Sequence, residues 1–190
     1  MTPVKSADLD QASQYFDRSL NRVAEVTTGL TDPQWRFKPA PDRWSIAEIM
    51  EHMVVVQERV LGPIREQLAH APAPPADRDH QQVDAIIIEK IPDRSLKAKA
   101  PEFIAPSGQL KREEALERLF RNYQRLVEFV ESTPDLREHA VEAPPIRFVT
   151  NGAFTTLDGY QWALTVALHD ERHVRQILEV QADPNYPRNA

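Results

Sequence analysis

Two histidines near the end of the chain, His169 and His173, stand four residues apart. On a helix that spacing puts both imidazoles on one face, one turn above the other. One metal ion can be gripped by a single helix in this way. The surrounding stretch, Leu157 to Val180, reads as one helix of about six to seven turns. Its histidine face also carries Asp158, Trp162, Val166, Gln176 and Val180, so the pair lies in a mostly apolar stripe. Two neutral imidazoles there each need a partner, because an unsatisfied buried polar group costs about 1–3 kcal/mol. A metal satisfies both at once. The plainer reading is two separately hydrogen-bonded core residues or surface polarity, and the pair alone is compatible with either. A zinc-type catalytic site also needs a third protein ligand and an open position for water or substrate.

The rest of the composition narrows the classes. A chain of 190 residues fits one domain, spanning 1–190 with a core from about 6 to 180 and a frayed tail over 181–190. A hydrophobic content of 41% and a charged content of 27% are ordinary for a soluble globular protein. The net charge of −6 and the dispersed basic residues argue against nucleic acid as a partner. There is no cysteine, which removes disulfides, thiolate metal sites and a cysteine nucleophile. The start, MTPVKSADLD, has no apolar core of signal-peptide length, and no apolar run is long enough to span a membrane. A cytoplasmic protein is expected.

Five glycines against sixteen prolines, with prolines clustered between periodic segments, point to an all-α chain of long helices joined by proline-rich connections. The first helix is expected over Ser6 to Thr28, its face marked by Leu9, Ala12, Phe16, Leu20 and Val23, with Gly29 as the stop. Thr31 and Gln34 form a capping box for a short helical turn. Ser45 and Glu48 form another, which starts the second long helix and carries it to about Ala69. Trp44, just before that cap, is expected as a staple-like packing anchor. A short helix over Gln82 to Ile91 is followed by Pro92 to Gly108, which is long for a simple loop and is expected to fold over the bundle and line a pocket. The third long helix covers Glu113 to Glu131, with Pro134 ending it, and an irregular connection leads to Thr156 or Asp158 at the start of the fourth. Four long helices with a long crossover between the second and third predict a four-helix bundle, in which metal sites are built from facing helices.

Two stretches, RWSIAEIMEH (Arg43 to His52) and LDGYQWALTVALHDERHVRQI (Leu157 to Ile177), resemble the DinB-like superfamily of damage-inducible and bacillithiol-transferase-related proteins. The lead-in LTDPQWRFKPAPDRWS is similar to it too, and the resemblance runs from about Leu9 to Val180, leaving Pro72 to Ser107 unmatched in detail. It implies a four-helix bundle with a three-histidine metal site. Carried onto this chain, the ligands are His52, His169 and His173. The resemblance further implies transfer of a low-molecular-weight thiol to an electrophilic small molecule. The thiol has to be a co-substrate in a chain without cysteine.

Three imidazoles leave coordination positions open. Zinc so held lowers the pKa of bound water to about 7. Zinc or nickel is expected, and iron(II) or manganese also suits nitrogen ligands. A metal-dependent hydrolase is the neighbouring alternative and wants a general base, for which Glu48 and Asp170 are candidates. The others are a mycothiol-dependent isomerase-like activity and a non-catalytic, stress-related binding bundle. Gln176 and Asp158 share the histidine face and could fix imidazole tautomers. Arg172 could hold an anionic substrate or pair with Glu179 or Asp135 on the surface. His70, His80 and His139 fall in or beside connections and are read as solvated. A second apolar stripe on the last helix, Leu164, Ala167, Leu168, Val174 and Leu178, suggests a neighbour and hence a homodimer.

Overall fold

A computed structural model describes residues 6–96, 99–133 and 135–188 of the chain. Pro134, expected to stop the third long helix, lies outside the described residues, as does the side chain of Leu9. Helix α1 (Ser6–Thr27) buries Ala12, Phe16 and Val23. Gly29 follows it with φ +73°, a conformation that glycine adopts without a Cβ penalty. Thr31 and Gln34 exchange backbone and side-chain bonds as a capping box for the short α2 (Asp32–Arg36). Ser45 and Glu48 do the same for α3 (Ile46–Leu68). Helix α4 (His80–Lys90) starts two residues earlier than its hydrophobic pattern suggests, because Asp79 accepts from the backbone N–H groups of Gln81 and Gln82. Helix α5 covers Arg112–Ser132.

The connection after α5 is more ordered than its sequence suggests. Strands β1 (Ala140–Glu142) and β2 (Thr156–Asp158) pair antiparallel, with Val141 opposite Leu157, and the short helix α6 (Pro144–Val149) sits between them. The ribbon delivers Asp158 to the N-cap of α7 (Gly159–Gln181), where it accepts from the Gln161 N–H and Gln161 reaches back.

Helices α1, α3, α5 and α7 form the bundle, and α4 packs along α7. Helix α7 is the hub, touching α1, α3, α4 and α5. That explains its sequence: a helix covered on several sides needs more than one apolar stripe. Leu164, Ala167, Leu168 and Val174, the stripe that pointed to a second copy of the chain, are all buried within this one, and only Leu178 stays 40% exposed. Among the described residues, no helix is long and apolar enough to cross a membrane.

The crossover from α3 to α5 straps two helices together. Its first part is held to α7, since Arg172 donates to the carbonyls of Asp93 and Leu96 and Arg175 to that of Pro92. Its last part is held to α3. Arg59 donates to the Phe103 carbonyl, while Glu51 accepts from the N–H and hydroxyl of Ser107 and from the N–H of Gly108. Burial raises the Glu51 pKa, but the bonds from Ser107 and Gly108 outweigh it and hold the group as a carboxylate.

Candidate metal centre

His52 on α3 and His169 and His173 on α7 come together under this strap. The His169 Nε2 lies 3.3 Å from that of His52 and 3.1 Å from that of His173. His52 and His173 are only 3% and 5% exposed, while 22% of the His169 side chain remains open. The cluster is therefore reached past His169.

The other ring nitrogens determine where the protons sit. His52 Nδ1 lies 2.7 Å from the carbonyl oxygen of Ile104. A carbonyl only accepts, so Nδ1 carries the proton and Nε2 is left with a lone pair. His173 Nδ1 lies 2.9 Å from Gln176 Oε1. Arg94 donates to that same amide atom at 3.3 Å, which identifies it as the oxygen and makes His173 Nδ1 a donor. His169 Nδ1 is turned toward Asp170 Oδ1 at 3.6 Å. The Nε2 lone pairs of His52 and His173 thus both face the Nε2 of His169.

That arrangement suits a cation. Nitrogens on a tetrahedral zinc with Zn–N of about 2.0–2.1 Å stand about 3.3 Å apart, close to the two spacings here. Burial pushes His52 down to about 3, and His169 adds to the effect. Burial, then His169 and His52, pushes His173 well down too. Neutral imidazole, the form that ligates a metal, is the form this pocket favours.

The remaining sequence candidates fall unevenly around the cluster. Gln176 lies against His173 and is itself held by Arg94, which also pairs with Glu179. Glu48 is consumed by the α3 cap: it accepts from Ser45 and pairs with Lys38 at 2.8 Å. Arg172 is a strap anchor, bonded to carbonyls rather than presented to a ligand or paired with Glu179 or Asp135. Asp158 is a correction. It shares the histidine face in projection but caps the far end of α7, about 16 Å along the axis at 1.5 Å per residue, and pairs with Arg137. His70 and His80 are exposed, whereas His139 is half-buried with Nδ1 2.6 Å from the Ala71 carbonyl.

Two contributors were hidden in the sequence. Trp44 does more than anchor the start of α3: its ring lies 4.8 Å from that of His52 and is stacked on that of His173 at 6.3 Å, so it walls the cluster. Its position beside a cap was legible, its contact with the fourth helix was not. The Ile104 contact is made by a backbone carbonyl, which no residue pattern reveals.

The fold and the cluster together define an all-helical bundle with a three-histidine centre built from its second and fourth long helices. The profile of the DinB superfamily matches residues 15–177, and the chain belongs to that superfamily. It is similar to the "Uncharacterized protein YuaE" of Bacillus subtilis (strain 168), with 26% identity over 159 residues covering 80% of this chain and 86% of the relative. Among solved structures it shares its fold with YfiT from Bacillus subtilis, at a TM-score of 0.59 and 9% identity over 95% of this chain and 90% of the other. YfiT is described as a "probable metal-dependent hydrolase with an unusual four-helix bundle topology".

Proposed function

We propose that this protein is a divalent-metal-dependent enzyme that transfers a low-molecular-weight thiol to an electrophilic small molecule. The observation that carries the reading is the convergence of three histidine Nε2 atoms, with the Nδ1 atoms of His52 and His173 held by acceptors. His52, His169 and His173 hold the ion, with zinc or nickel best suited to the set. When bound, the ion lowers the pKa of the thiol or water that reaches it.

The preference for a thiol over water rests on the neighbouring carboxylates. Glu48 is engaged by Ser45 and Lys38, Glu51 by Ser107 and Gly108, Asp170 by Gln57 and Tyr123, and Glu179 by Arg94. Glu48, Glu51 and Glu179 are committed to structure, and the second oxygen of Asp170 faces His169 Nδ1 rather than the Nε2 cluster. A thiol, with a pKa of about 8.5, ionises beside a cation with less help than water does. The ring of Trp44 offers an apolar wall to the electrophile.

Hydrolysis is the second reading, favoured by the description of YfiT, which has the same fold. The test starts with elemental analysis of untagged protein never exposed to a nickel column, beside the His52→Ala variant. About one metal per chain, lost in the variant, supports the centre. Loaded protein is then offered electrophiles with and without thiol, and products are identified by mass spectrometry. A thioether formed only with thiol supports transfer, and a water adduct formed without it supports hydrolysis. No metal uptake at all leaves the non-catalytic binding bundle.

A further inference from the structure

Behind His169 the bundle buries a carboxyl group that the proposed chemistry does not use directly. Asp170 is 0% exposed. Its Oδ2 accepts from the Tyr123 hydroxyl on α5 at 2.7 Å and from Gln57 Nε2 on α3 at 2.5 Å. Both donors are themselves buried. Among the described residues, its Oδ1 has no hydrogen-bond partner, and neither does His169 Nδ1, which is 3.6 Å away. Two complementary orphans therefore face each other across a gap too narrow for a water. A small turn of the imidazole closes it.

The charge pattern points the same way. Buried charges are paired with opposite charges or reach a metal. Both hydrogen-bond donors to Asp170 are neutral side chains. The phenol of Tyr123 is held protonated, by burial first and by Asp170 next, so it stays a donor. A cation on the far nitrogen of His169 supplies the missing positive charge through the ring.

We infer that Asp170, clamped by Tyr123 and Gln57, is the positioning residue for His169: it holds the proton on Nδ1 so that Nε2 faces the metal. The inference rests on the proposed metal centre. It makes three helices responsible for one ligand: α7 supplies His169 and Asp170, α3 supplies Gln57 and α5 supplies Tyr123. An asparagine at position 170 would turn its amide N–H toward Nδ1, move the ring proton to Nε2 and block the ligating atom.

The test compares wild type, Asp170→Asn and Tyr123→Phe, each stripped with chelator at pH 8. Zinc affinity is measured by competition with a chromophoric chelator. Melting is recorded with and without zinc, and the His169 tautomer is read from imidazole nitrogen shifts. Wild type should bind about one zinc, and Asp170→Asn should lose about 10–100-fold in affinity, the usual effect of removing such an outer partner. Tyr123→Phe should shift affinity the same way by less. Zinc-free Asp170→Asn should melt close to the wild-type temperature, because the amide oxygen keeps the bonds from Tyr123 and Gln57. Wild-type affinity in Asp170→Asn, or equal melting losses in the stripped and loaded forms, would overturn the inference while leaving the metal centre intact. A wild type that binds no zinc, nickel or manganese would overturn both.

Discussion

His52 Nδ1 lies 2.7 Å from the carbonyl oxygen of Ile104, a residue 52 positions further along the chain. One ring of the cluster is therefore oriented by the strap above it as well as by its own helix. The strap in turn is pinned to α3 by Glu51, one residue before His52. Position of the strap and aim of the ligand are mechanically joined.

Replacing Glu51 by Ala removes the acceptor for Ser107 and Gly108. Hydrogen exchange at those two amides should accelerate, and stability should fall by about 1.5–3 kcal/mol, the range for bonds to a charged group. Zinc affinity should weaken as well, since the Ile104 carbonyl drifts from His52. Unchanged exchange at Ser107 and Gly108 would refute the pinning role.

Acid should destabilise the metal-free protein. His52, pushed down to about 3 chiefly by burial, and His173, also pushed down, resist protonation when folded. Unfolded, both take up protons near the ordinary value of about 6.5. The stability tied to their neutral forms is thus complete above that value and is lost as pH falls toward 3. Denaturation midpoints of chelated protein should drop between pH 7 and 4, by up to about 1.4 kcal/mol per pH unit for each withheld proton. A His52→Gln/His173→Gln double variant should show a shallower slope; parallel curves would contradict the assignment.

His173→Ala should abolish stoichiometric metal and leave the bundle folded. The aliphatic faces of α7 remain, and the loss is one buried ring, worth a few degrees of melting temperature at about 2–4 °C per kcal/mol for a chain of this size. Elemental analysis and far-ultraviolet circular dichroism check the two halves. Metal retained at one per chain would exclude His173 as a ligand.

Gly159→Ala probes the opposite end of α7. A Cβ there would come within 2.7 Å of Leu136 Cδ2 and 3.0 Å of the Leu136 carbonyl, where the Gly159 N–H already donates at 2.7 Å. Overpacking of this kind costs about 1–3 kcal/mol. Metal stoichiometry should be unchanged, because the clash is about 15 Å from His169 along the helix. A melt indistinguishable from wild type would show that the turn at Leu136 yields.

Local signals in the sequence were legible because they are local. The pairs Thr31/Gln34 and Ser45/Glu48 mark helix starts through bonds three residues apart, and both are present. Apolar spacing located the four long helices to within a few residues. The β1–β2 ribbon was not legible, since three-residue strands are too short to display alternation and are held by pairing with each other. The site was half legible. His169 and His173 announce themselves by spacing, while His52 needed the resemblance to join them. Asp158 shows the limit of projecting a helix onto a wheel, which gives direction around the axis and discards height along it. The stripe of Leu164 and Val174 misled for a related reason: apolarity shows that a face is covered, and here α7 is covered by its own chain. The partners of Arg172 were not legible because they are main-chain oxygens contributed by the crossover.

The spacing of the three histidines along the chain also sets an order of events. His169 follows His52 by 117 residues, so the two meet only through the tertiary packing of α3 and α7. A nascent chain offers an ion one isolated imidazole, then, much later, a pair. The trap exists only once α7 has been made and has taken its place as the hub. On the proposed metal centre, loading would follow folding, in contrast to small zinc domains whose ligands nucleate the fold. In a chain without cysteine, an ion held at the proposed centre would add a tie from α3 to α7 beside the buried Gln57–Asp170 hydrogen bond. Its removal should shorten the lifetime of the native state more than it changes its shape.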